Sequence, residues 1–176
     1  ADKSRRTLLI DADMRRGKLR RAFGVRRNAL GLSDALTGDC TFEEAVSKTD
    51  VENLCLISTG KRPPNPAELL DSKPFADLVE WANSAFDVVV IDAPPVLAVT
   101  DPLILARHSA VNLLVVKHTA TSEVEIRATN KTLQNSGIIL SGAILNVYDQ
   151  RKSKYGSYGY RYGYYYGGYN YNYSKD

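Results

Sequence analysis

The sequence predicts an α/β domain built on a parallel sheet, and three observations predict it. Five short apolar runs recur along residues 1–148, helical patterns with recognisable starts lie between them, and the runs do not alternate strictly with polar residues. Continuous apolar runs are what a strand needs when both faces of its sheet are covered. Strands and helices in alternation then put the strands parallel and the helices on the faces.

Taken in order, TLLI (Thr7–Ile10) reads as the first strand. Thr41 and Glu44 have the spacing of a capping box, so a helix is expected to start there. NLCLIS (Asn53–Ser58) is the second strand, and Asn65-Pro66 offers an N-cap followed by proline at a first helical position. Phe75, Leu78, Val79 and Ala82 recur at helical spacing and form an apolar stripe. DVVVI (Asp87–Ile91) and VNLLVV (Val111–Val116) are the third and fourth strands. Ser122 and Glu125 make a second capping box, Gly137 is a helix stop, and GAILN (Gly142–Asn146) is the last strand. From about Asp149 the aliphatic residues vanish. Residues 149–176 carry only Tyr, Gly, Ser, Asn, Gln and charged side chains, too little apolar surface to offset ordering entropy, so this tail is expected to be disordered in isolation.

Composition narrows the function classes. A net charge of +3 is too small to argue for nucleic acid. Basic residues cluster at Arg15, Arg16, Lys18, Arg20, Arg21, Arg26 and Arg27, either a solvated face or a patch for phosphate, a membrane surface or an acidic partner. Cys40 and Cys55 share no ligand spacing and read as reduced thiols, Cys55 buried; His108 and His118 stand apart from any such cluster. No run approaches the roughly 20 apolar residues of a membrane-spanning helix, and no signal peptide is visible. The chain opens on ADKSRR without Met and is expected to be a segment of something longer.

Parallel sheets bind ligands beyond the carboxyl ends of their strands. Two strands here run out into carboxylates: LLIDADMR delivers Asp11 and Asp13, and VVVIDAPP delivers Asp92. A single strand-end Asp is often a turn residue. Three carboxylates on one edge repel unless a cation joins them, and hard oxygen ligands suit Mg²⁺ shared with nucleotide phosphates. The residues therefore point to a Mg-nucleotide site.

LLIDADMR resembles the Walker A′ motif, and VVVIDAPP the Walker B motif, of the bacterial tyrosine kinases, P-loop proteins related to the MinD/ParA ATPases. GKRPPNPAELLDSKPFADLV, PPVLAVTDPLILARHSA and GAILNVY fit in the same order, and the tyrosine cluster is the family's hallmark. The resemblance implies a MinD/ParA-like P-loop domain over residues 1–148 with a flexible tyrosine tail at 149–176, and ATP and Mg²⁺ as cofactors. Asp13 and Asp92 would hold Mg²⁺, Asp11 would be the base nearest the tyrosine hydroxyl, and Asn146 would contact adenine. Arg15 would order the loop or the phosphates. Asn146 also fits a plain strand-end turn, and Arg15 a surface arginine. The implied reaction is autophosphorylation of the C-terminal tyrosines in trans, within a homo-oligomeric ring at the cytoplasmic face of the bacterial inner membrane. Its setting would be capsular or extracellular polysaccharide synthesis and export, with a membrane polysaccharide co-polymerase module and a tyrosine phosphatase as partners and no nucleic acid.

One departure is plain. No G-x-x-x-x-G-K-[S/T] occurs: Gly17-Lys18 runs into Leu19, and Gly60-Lys61 into Arg62. The resemblance places the Walker A strand, loop and helix before the Walker A′ strand, so the domain is expected to be N-terminally incomplete. Because the family's P-loop strand lies near the middle of the sheet, a gap between its flanking strands is expected. The acceptor residues would be Tyr155, Tyr158, Tyr160, Tyr162, Tyr164, Tyr165, Tyr166, Tyr169, Tyr171 and Tyr173, ten of the chain's eleven tyrosines. A flexible tail of ~25 residues spans about 25–30 Å, enough to reach a neighbouring subunit. Tyr148, beside the last strand, is expected to be packed. The rival readings are a MinD/ParA-type ATPase switch and a catalytically incomplete scaffold or phospho-acceptor. In the latter the tail would be a docking or sticker segment.

Overall fold

The structure is a computed structural model that describes residues 4–148. The expected tail and its ten tyrosines lie outside the described residues. Thirteen elements follow one another: β1 (Thr7–Asp11), α1 (Leu19–Ala22), α2 (Leu32–Leu36), α3 (Phe42–Ala45), β2 (Val46–Lys48), β3 (Leu54–Ile57), α4 (Pro66–Leu70), α5 (Lys73–Ala85), β4 (Val88–Asp92), α6 (Asp101–Ala106), β5 (Leu113–Lys117), α7 (Glu123–Asn135) and β6 (Gly142–Asn146).

The apolar runs decide the centre of the molecule. β1 is the middle strand, parallel to β3 on one side and to β4 on the other. Leu8, Ile10, Leu56 and Ile57 are fully buried, as covered faces require. The stripe on α5 packs with Leu8, Ile10 and Ile57: Phe75, Leu78 and Ala82 are fully buried and join Leu32 of α2, Leu70 of α4 and Leu105 of α6 in one cluster. Both capping boxes form. Thr41 accepts from the Glu44 N–H and Glu44 from the Thr41 N–H; Ser122 and Glu125 repeat the exchange at the start of α7. Gly137 closes α7 at φ +72°, the left-handed conformation a helix stop uses.

Three details differ from expectation. β2 pairs antiparallel with β3 at the sheet edge, where no strand is predicted. Its Val-Ser-Lys is too short to show a period. Cys55 is half-buried, packed against the core from its edge. Tyr148 is 55% exposed, with its ring 5.0 Å from that of His118. The strands also fall into two sheets, β2-β3-β1-β4 and β5-β6. The expected gap shows as a break in the sheet: β4 ends the first one, and β5 and β6 pair only with each other. Apolar side chains are uncovered around it: Val90 of β4, Leu113 and Val115 of β5, Ile144 and Leu145 of β6.

Candidate active site

The parallel register of β1 and β4 puts Asp11 directly beside Asp92 at the carboxyl ends of neighbouring strands. The chain then turns sharply. The Asp13 side chain accepts the N–H groups of Arg15 (3.2 Å) and Arg16 (2.9 Å), and its carbonyl accepts the Gly17 N–H at 2.6 Å. Asp13 is therefore a turn residue as well as a site residue, with one carboxylate oxygen spent on the backbone.

Asp11 is fully buried. One oxygen accepts the Leu19 N–H at 3.0 Å; the other, Oδ1, has no hydrogen-bond partner among the described residues. Burial pushes its carboxyl up to about 6, the Leu19 N–H opposes the shift, and repulsion from Asp92 and then Asp13 adds to it. Asp92 is shifted in the same direction, by burial first and then by Asp13. Its side chain accepts no hydrogen bond among the described residues. Gly17 closes over Asp11 so tightly that a Cβ there would sit 2.7 Å from both carboxylate oxygens and collide with the Thr59 methyl. Only glycine fits, and β3's Ser58–Gly60 loop forms the other wall.

Arg15 is pinned. Its Nε and Nη2 donate to the two oxygens of Asp101 at 2.9 and 3.0 Å, and Asp101, the first residue of α6, is fully buried. This bidentate pair ties the turn after β1 to α6. Asp13, Arg15 and Arg16 then face Pro94, Pro95, Ala98 and Val99 across a shallow cleft. Asn146 ends β6 opposite Lys117 and spends its Oδ1 on the Val147 N–H. Val147 is left-handed at φ 54°, which is uncommon for a β-branched residue.

The structure thus brings together Asp11, Asp13, Arg15 and Asp92, and leaves Asn146 on the separate β5-β6 sheet. Sequence reasoning passes over Asp101 and Gly17. Asp101 reads as an ordinary helix start beside Thr100 and Pro102, and its partner lies 86 residues away. Gly17 offers only a Gly-Lys dipeptide. Among the described residues no three His, Cys, Asp or Glu side chains converge where a metal ion could sit. The donor set nonetheless suits Mg²⁺, which takes one or two protein carboxylates and completes its shell with water and phosphate: Asp92 and the second oxygen of Asp13 are both uncommitted.

No protein-family model matches the chain. It is 40% identical over 156 residues to the tyrosine-protein kinase Wzc of Salmonella typhimurium, across 89% of this chain and 22% of that protein. The chain therefore spans about a fifth of the length of the curated relatives it matches. The kinase domain of the Escherichia coli tyrosine kinase ETK superposes with a TM-score of 0.81 at 36% identity, covering 91% of this chain and 61% of that one. The VpsO kinase domain does so with a TM-score of 0.79 at 31% identity, covering 84% and 72%. The septum site-determining protein MinD of Pyrococcus horikoshii, solved with Mg-ADP, shares the fold at a TM-score of 0.65 and 21% identity, over 82% of this chain and 58% of that one. With two Asp-bearing strands in register and kinase-domain relatives over most of its length, the chain belongs to the bacterial tyrosine kinases.

Proposed function

We propose that this chain is the Walker A′–Walker B part of a protein-tyrosine autokinase, residues 1–148, followed by its own acceptor tail, residues 149–176. The observation that carries the reading is the register of Asp11 with Asp92, with Asp13 turned back beside them. The reaction moves the γ-phosphoryl group of ATP to a tail tyrosine of a neighbouring subunit: the bond to the β-phosphate oxygen breaks, the bond to the phenolic oxygen forms, and ADP leaves. Asp11 accepts the phenolic proton. With its carboxyl near 6 it is mostly ionised at neutral pH, yet basic enough to take a proton in the transition state. The hydroxyl has to enter past the Gly17–Leu19 segment that covers Asp11.

Asp13 and Asp92 would hold Mg²⁺, whose charge would offset that of the phosphates. Arg15, locked by Asp101, keeps the turn that carries Asp13 in place. Asn146 is the adenine contact. The product is a tail whose phosphates, each about −1.5 to −2 in charge, repel their neighbours and loosen a ring of such subunits. The process served is capsular or extracellular polysaccharide synthesis at the cytoplasmic face of the inner membrane, alongside a membrane polysaccharide module and a tyrosine phosphatase. No described helix is long and apolar enough to cross a membrane.

A second reading has its own observation. With no G-x-x-x-x-G-K-[S/T] in these 176 residues, the chain by itself is a phospho-acceptor rather than an enzyme. One experiment separates the readings. Incubated with Mg-ATP alone, the chain is expected to gain no phosphate, because three carboxylates repel the triphosphate and no backbone nest offsets them. Mixed with a complete active kinase of the family, it is expected to gain several phosphates mapping to Tyr155–Tyr173, read by intact mass. Absence of phosphate in the mixture sinks the autokinase reading and leaves the tail as a sticker segment.

A further inference from the structure

Two loops leave the register pair Asp11 and Asp92 and stay side by side. The Ala12 N–H donates to the Asp92 carbonyl at 2.9 Å, so the pairing runs one residue past β1. The first loop presents Asp13 and Arg16 to a shallow cleft, and the second faces them with Pro95, Ala98 and Val99. That second wall is turned back on itself, the Ala98 N–H donating to the Pro95 carbonyl at 3.0 Å. Arg15 of the first loop grips Asp101, two residues beyond Val99, so one ion pair ties both walls together. Pro95 and Ala98 are exposed and Val99 is half-buried. Nothing in the phosphoryl transfer uses this apolar wall.

The tail carries a matching pattern. Tyr158, Tyr160, Tyr162, Tyr164 and Tyr166 recur at every second residue, and so do Tyr169, Tyr171 and Tyr173. An extended backbone puts such residues on one face, about 7 Å apart. Asp13 and Pro94 each lie two residues past the Asp11–Asp92 pair, a reach of at most about 7 Å. We propose that this cleft is a second-ring subsite: while one tyrosine of a neighbouring copy's tail approaches Asp11, the tyrosine two residues away lies across Pro95, Ala98 and Val99. The subsite rests on the autokinase reading above and adds what selects the acceptor. A tyrosine ring laid on proline and aliphatic side chains buries apolar surface on both partners, and the exposed Arg16 at the rim suits a ring face. Charge favours the unmodified tail: residues 149–176 carry five basic residues against two acidic ones, and Asp11, Asp13 and Asp92 are carboxylates. Phosphate on the rings reverses that attraction, so a modified tail is released.

The test titrates a fluorescent peptide of residues 157–163, which holds Tyr158, Tyr160 and Tyr162, with the full chain and follows anisotropy. The peptide is expected to bind. Tyr158→Ser with Tyr162→Ser, which leaves one ring, is expected to weaken it about tenfold. One added glycine on each side of Tyr160 keeps rings and charge but moves the spacing to three, and is expected to weaken it as much. A peptide with all three tyrosines changed to phenylalanine is expected to bind like the parent. In the chain, Ala98→Gln and, separately, Pro95→Ser, each checked for fold by circular dichroism, are expected to weaken the parent peptide severalfold. A one-ring or respaced peptide that binds as tightly as the parent overturns the proposal. So does an unchanged affinity in both cleft variants, a phenylalanine peptide that fails to bind, or a parent peptide that does not bind. The phenylalanine peptide accepts no phosphate, so its binding is read apart from transfer. A tail that a complete family kinase leaves unmodified sinks the autokinase reading, whereas a tail that is phosphorylated but binds without regard to spacing sinks only the subsite.

Discussion

At Asp11 the same burial that tunes the carboxyl also costs stability. Its carboxyl is raised from an ordinary 3.8 to about 6, so the folded chain holds this proton more tightly than the unfolded chain does. Stability then falls as pH rises from 3.8 to about 6, and the full cost, roughly 3 kcal/mol for a shift of about two units, is present above that window. Asp11→Asn removes the charge and keeps the shape. It is expected to raise stability at pH 7.5 by about 1–3 kcal/mol and to flatten the decline between pH 4 and 6, read from urea midpoints in metal-free buffer. A variant less stable than its parent at pH 7.5 would count against burial as the cause. Arg15 makes the opposite case. Arg15→Ala leaves the fully buried Asp101 without its cation, a loss of about 3 kcal/mol, while Asp101→Asn, which keeps hydrogen-bonding capacity, is expected to cost less. The carboxylates were legible in the sequence because each follows an apolar run that had to be a strand. Asp101 and Gly17 were not, because their partners come from other elements: α6 meets the turn after β1, and Thr59 of the loop after β3 closes on Gly17.

Elements whose stability is local were read well from sequence, and those fixed by neighbours were not. All five predicted strands stand within two residues of their expected bounds, because short unbroken apolar runs between helix signals leave few alternatives to a strand, although only β1 and the end of β3 are buried. The capping boxes at Thr41 and Ser122 formed as spaced, since each needs only four consecutive residues. By contrast β2, three residues long, exists only because β3 offers it an edge, and α1, α2 and α6 are single turns or little more, without a readable stripe. The N-cap at Asn65 was expected as well, yet its side chain donates to Glu68 instead of accepting from the backbone. A test at this scale is Ser122→Ala. α7 buries only Thr129 and Leu133, so it leans on its cap, and losing the hydroxyl is expected to cost about 1 kcal/mol and to speed amide exchange in the first turn. Unchanged exchange there would mean that packing, not the cap, holds the helix start.

For the whole molecule, the division into two sheets has the largest consequence. β4 and β5 each present an unpaired parallel edge, and Val90, Leu113, Val115, Ile144 and Leu145 leave apolar surface uncovered beside it. Unpaired edges flanked by apolar side chains are templates for pairing with another chain. The core cluster takes in no residue of β5 or β6: Leu8, Ile10, Ile57, Phe75 and Leu78 are fully buried in it, and only Val89 and Ile91 of β4 pack against it from the broken side. These residues alone are therefore expected to keep a folded core while associating through β4 and β5. The association should grow with protein concentration in sedimentation or light scattering, and binding of a hydrophobic dye should mark the β5-β6 half. Charging that face with Val115→Lys, at a position already 58% exposed, is expected to lower the association with little effect on the core. A chain that stays monomeric at high concentration and unfolds in one sharp transition would show that the two sheets close on each other in solution, and that the uncovered edges are not what the molecule presents.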